Sequence, residues 1–170
     1  MLGGIHFFAG ASTSIFLTNN YLLAPIIGIV SHHLLDRLPH LDLNIMQPPN
    51  DHLSTANMKV KLFVFGELVI LTLFTLMLTI EYFNSSLVHL TIAILGGLGG
   101  IAPDVFTILF KEKLKKFKVF KAYFDFHKNF HFKLKEKKLK YCFLPILTEI
   151  IVLIASFALI DIAASFILTH

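Results

Sequence analysis

LVHLTIAILGGLGGIAPDVFTILF, residues 87 to 110, carries a single carboxylate, Asp104, and no lysine or arginine. As a helix these residues would be about 36 Å long at 1.5 Å per residue, enough to cross the ~30 Å hydrocarbon layer of a bilayer. Two other runs, Leu62 to Ile80 and Phe143 to Thr169, are similarly apolar and similarly long. Two shorter ones, Leu2 to Leu17 and Tyr21 to Leu35, flank Thr18-Asn19-Asn20, a turn signal. They predict a tight helical hairpin, spanning or re-entrant, with a kink at Pro25. Within residues 87 to 110, Gly96 and Gly100 form a G-x-x-x-G pair that permits close helix contact, either inside the bundle or across a dimer.

Composition agrees. Of 170 residues, 55% are hydrophobic and only 15% charged, with a mean hydropathy of +0.73. A soluble domain carries about 25% charged residues to wet its surface, so much of this surface faces something other than water. The lone Cys142 excludes an intramolecular disulfide and a thiolate zinc site. Met1 to Leu17 has no basic residue ahead of its apolar run and no A-x-A-like cleavage site, so it is expected to be retained.

Charge sets the predicted topology. Residues 111 to 140 hold twelve lysines of the chain's 15 basic residues, which places that loop on the cytoplasmic side. The segment 36 to 61, with Arg37, Lys59 and Lys61, then falls on the same side, and the C-terminus on the other. Leu114, Phe117, Phe120, Phe124, His127, His131 and Leu134 step by three or four, leaving most lysines on another face. That pattern predicts a helix lying in the membrane interface against anionic lipid, with lipid favoured over nucleic acid as its partner. The expected fold is all-α. One integral membrane domain, residues 1–170, is read as a polytopic bundle of about five membrane helices plus a cytoplasmic-side Lys-rich amphipathic helix.

On this topology the ionisable residues are not scattered. His6, His32, His33, Asp36, His40, Asp104, His127 and His131 all fall in the inner half of the membrane or just beyond it. Such residues are costly in a bilayer and mark sites by default. His32 and Asp36 are four apart, as are His127 and His131, so each pair shares one helix face. Imidazole nitrogen and carboxylate oxygen suit zinc, manganese or iron, and Asp104 beside Pro103 could bridge two ions at a helix break. The candidate ligands are His6, His32, Asp36, His40, Asp104, His127 and His131, with His32 preferred over His33 for its spacing from Asp36. Glu67 and Glu149 are read either as partners of ligating histidines or as acids bonding a neighbouring helix. His89, far from the others, is read as a packing residue, and Asp42 and Asp51 as solvated loop residues.

Ser31-His32-His33-Leu34-Leu35-Asp36 resembles the S-H-x-x-x-D element of the bacterial membrane-bound metal-dependent hydrolases. His6 with Gly10, Pro103-Asp104 and the His127 to His131 pair are similar to that family's other elements. The resemblance implies a hydrolase distantly similar to zinc-dependent phospholipase C, acting on a phosphoester in the inner membrane of a bacterium or archaeon. No side chain is expected to be catalytic beyond the water activated by the metal, with Lys128 positioned to hold phosphate. Histidine ligates only when neutral, so a pH–rate profile is expected to fall as pH drops through about 6 to 7. Three rivals make different demands. A metal transporter needs polar groups through the full depth, and the outer half offers only His89, Asp161 and scattered hydroxyls. A lipid-binding scaffold would tolerate loss of His32 and His131, and a haem protein would show a Soret band.

Overall fold

The computed structural model describes residues 3–40, 58–83, 86–130 and 143–169. Those residues form six helices and no strand: α1 (Gly3–Leu17), α2 (Ala24–Leu35), α3 (Met58–Phe83), α4 (Leu87–Leu114), α5 (Lys118–Phe130) and α6 (Phe143–Thr169). The all-α expectation holds. The expected five membrane helices are reduced to two among the described residues, since only α4 and Phe143–Phe166 of α6 are long and apolar enough to cross a bilayer. The reason is length. α1 and α2, with 15 and 12 residues, reach about 22 and 18 Å, and the apolar part of α3, Phe65–Ile80, reaches about 24 Å.

The hairpin between α1 and α2 forms as its sequence requires. Asn20 takes an Asx turn, its Oδ1 accepting from the Leu22 amide at 2.8 Å, while its own amide donates to Thr18 Oγ1 at 3.0 Å. Pro25 does not kink α2; it lies in the first turn, where its missing N–H is no loss. Pro103 likewise does not break α4, which continues unbroken to Leu114. Ser86 caps α4, its hydroxyl accepting from the His89 amide and bonded to His89 Nδ1 at 2.6 Å, which gives His89 a local structural role.

α1 is the hub. Eleven of its fifteen residues are buried, and it touches α2, α3, α4 and α6. Phe8 is fully buried, stacked on Phe74 of α3 at 4.4 Å and tilted against Phe157 of α6 at 4.7 Å between ring centroids. Its other side meets α4 through glycine. A Cβ on Gly10 of α1 or on Gly28 of α2 would collide with the Gly96 carbonyl, and one on Gly100 would collide with the His6 carbonyl. The G-x-x-x-G pair therefore serves packing inside this chain, holding the α4 backbone against both hairpin helices. The start of α1 is closed by α3, where Glu67 Oε2 accepts from the Gly4 amide at 3.0 Å.

Candidate metal centre

Four helices deliver side chains to one buried cluster. α1 brings His6, and the last turn of α2 brings His32 and His33 with Asp36 as the C-cap. α4 adds Asp104 and α5 adds His127. The glycine contacts make the meeting geometrically feasible: with the α4 backbone close against the backbones of both hairpin helices, His6 and His32 stand beside the turn that carries Asp104. Their ring centroids are 4.2 Å apart, and the His32 ring is stacked on His127 at 5.5 Å.

One hydrogen bond determines the chemistry. His32 Nδ1 lies 2.7 Å from the Gly100 carbonyl, which can only accept, so Nδ1 carries the proton. In the neutral form of the ring, the form that can ligate a metal, the Nε2 lone pair then faces inward. That atom is 3.0 Å from Asp36 Oδ2 and 3.7 Å from Asp104 Oδ1. His6 Nε2 faces the other Asp36 oxygen, Oδ1, at 3.2 Å, and His127 Nε2 is 3.2 Å from Asp104 Oδ1. Neither His32 Nε2 nor either nitrogen of His6 makes a hydrogen bond. His6, His32 and Asp36 have no exposed side-chain surface at all, whereas the Asp104 side chain is 32% exposed.

Lone pairs facing carboxylates in a dry site repel unless positive charge lies between them. Burial would raise the Asp36 carboxyl, but positive charge on the facing nitrogens of His32 and His6, whether a proton or a metal ion, outweighs it and holds the group well below the usual carboxylate range. The aspartate is thus ionised and available as a ligand. Two sets of donor atoms, each within 4.8 Å of one another, could hold a metal ion: His32, His33, Asp36 and His127, and His6, His32 and Asp104. The donor types, nitrogen and carboxylate oxygen without sulfur, match zinc, manganese or iron. The Gly100 bond is the kind of outer contact that fixes a ligating imidazole in its ring orientation.

Of the seven expected ligands, five meet here: His6, His32, Asp36, Asp104 and His127. His40 is buried, its Nδ1 donating to the Leu38 carbonyl at 2.7 Å, and belongs to neither donor set. His131 lies outside the described residues, as do Asp42 and Asp51. His33 joins His32 in the first set, so the choice between the two dissolves. Helical spacing pointed to His32 alone because His33 lies a further 100° around α2; the approach of α5 is what recruits it. Glu67 bonds the backbone of α1, and Glu149 is buried on α6.

α5 is fastened over the cluster by aromatic contacts. Phe106 of α4 packs against Phe120, Tyr123 and Phe124 at 5.7 to 6.1 Å, with the Phe124 ring stacked on it. Tyr123 lies nearly parallel to the His127 ring at 6.1 Å and 11°. From the turn that follows α2, the Arg37 guanidinium sits 3.9 Å over Phe130, and His33 of α2 meets Phe126 edge-on at 5.5 Å. Lys118, Lys121 and Lys128 are left on the exposed side, as the amphipathic pattern predicts. Of these, Lys121 pairs with Asp125 at 2.6 Å. No protein-family model, curated protein or solved structure matches this chain.

Proposed function

We propose that the chain is an integral membrane metal-dependent hydrolase that cleaves a phosphoester of a lipid-like substrate at the cytoplasmic face of a bacterial or archaeal inner membrane. The observation that carries this reading is the His32 imidazole. Its Nδ1–H is tied to Gly100 and its Nε2 is aimed, without a hydrogen bond, at two aspartates in a buried site. The membrane part is supported by the exterior: α4 and α6 leave most of their apolar residues uncovered, among them Ile108 at 74% and Phe143 at 73% exposure. Apolar surface on this scale belongs in lipid or against a partner.

Zinc is the first choice of ion, with manganese or iron accommodated by the same donors. When bound, a divalent ion supplies a water of lowered pKa and stabilises charge developing on a phosphoryl oxygen. The chain's own residues do the rest. His6, His32, Asp36 and His127 close the site on the buried side, so substrate enters past the partly exposed Asp104. Lys128, exposed on α5 one residue beyond His127, holds the phosphate, and the other α5 lysines hold the helix to anionic headgroups.

The test is elemental mass spectrometry on detergent-purified protein beside an Asp104→Ala/His127→Ala variant, followed by assays with bis(4-nitrophenyl) phosphate and a short-chain phospholipid. The wild type is expected to hold at least one equivalent of zinc, manganese or iron, to hydrolyse one of the two substrates, and to lose both properties in the variant. Metal without hydrolysis of either substrate would reduce the protein to a metal-binding one. No metal after supplementation would remove the whole reading.

A further inference from the structure

The donor atoms do not gather around a single point. Two atoms bound to the same zinc at about 2.0 to 2.2 Å can be at most ~4.4 Å apart. Six residues converge here, yet their donors fall into two separate sets rather than one, with His32 the only member of both. His32 cannot serve both through its two nitrogens, because Nδ1 is committed to the Gly100 carbonyl and only Nε2 remains. One ion on the His32, His33 and His127 side therefore leaves His6 and Asp104 as a second set of ligands.

Asp36 lies between the two sets. Its Oδ2 faces His32 Nε2 at 3.0 Å, and its Oδ1 faces His6 Nε2 at 3.2 Å, so the two oxygens of one carboxylate are directed at different histidines. Carboxylates arranged in this way bridge paired ions, which sit about 3.5 to 4 Å apart in two-metal hydrolytic sites. We infer that the centre holds two divalent ions bridged by Asp36, one on His32, His33 and His127, the other on His6 and Asp104. The inference rests on the metal reading above and extends it to the number of ions and the division of ligands. It also gives α1 a role: its buried histidine completes the second ion's shell.

The experiment is to load purified protein with Mn²⁺, measure bound metal per chain, and record its electron paramagnetic resonance spectrum, for wild type and for His6→Ala. Helix content by circular dichroism accompanies each sample, and His6→Gln replaces His6→Ala if the alanine variant loses helix. Two equivalents and an exchange-coupled signal are expected in the wild type, against one equivalent and an uncoupled signal in the variant. One equivalent in the wild type would overturn the pair while leaving metal binding in place. Two equivalents in both proteins would remove His6 from the ligands and overturn the assignment. No bound Mn²⁺ in the wild type would overturn the pair together with the reading beneath it.

Discussion

Asp36→Ala is expected to strip the protein of its metal, leaving less than a tenth of the wild-type content after gel filtration. Both Asp36 oxygens face ring nitrogens, at 3.0 and 3.2 Å, and the side chain has no exposed surface through which water could replace it. Outer partners of a metal site are worth ~10- to 100-fold in affinity. A carboxylate that neutralises the ion directly, between two neutral imidazoles, is worth more than that. The fold itself is expected to survive, because the Asp36 contribution to α2 is its backbone amide, which bonds the His32 carbonyl at 2.9 Å and is kept in alanine. Asp36→Asn, matched in size but uncharged, separates charge from shape: it should fail nearly as badly. Full metal content in either variant, by elemental mass spectrometry, would place the metal elsewhere.

The second large effect concerns packing. Gly96→Leu is expected to destabilise the bundle by about 4 kcal/mol or more, in the range reserved for gross steric conflict. Even a Cβ at this position would meet the Ser14 side chain and the Gly10 carbonyl, and the rest of a leucine has nowhere to turn. Overpacking a core by a methylene or two typically costs ~1 to 3 kcal/mol because side chains can shift. Here one face of the conflict is backbone, so α1 must move off α4 and take His6 with it. Thermal unfolding in detergent should show the loss, and metal content should fall in parallel. Gly66→Leu is the control, since a Cβ on Gly66 meets nothing within 4 Å. Equal stability of the two variants would mean that α1 and α4 are not in backbone contact.

Much of this could be read from the chain before folding was considered. The apolar runs announced the helices, and their lengths already contained the reason α1 and α2 fall short of a bilayer. The lysines of residues 111 to 140 announced an amphipathic helix, and α5 is one. Part of the cluster was legible because i, i+4 spacing is a local rule, and His32 with Asp36 obeys it. What spacing could not carry is contact between distant segments. Glu67 bonding the Gly4 amide, the Gly100 carbonyl orienting His32, and His33 entering through α5 each join residues on different helices. Pro25 and Pro103 show the opposite failure. A local rule predicted a kink at Pro25 and a break at Pro103, but Pro25 occupies a first-turn position and α4 runs on past Pro103.

The order in which the proposed ligands occur along the chain has a consequence for biogenesis. His6 leaves the ribosome first, then His32 and Asp36, then Asp104, while His127 follows only after α4 is complete. A nascent chain therefore carries an incomplete set of donors through most of its synthesis and cannot capture metal firmly until α5 settles onto Phe106. Loading is thereby postponed until five of the six described helices have been made, and a bound ion, stabilising only chains in which α5 has docked, would act as a seal distinguishing them from molecules stalled or truncated before it.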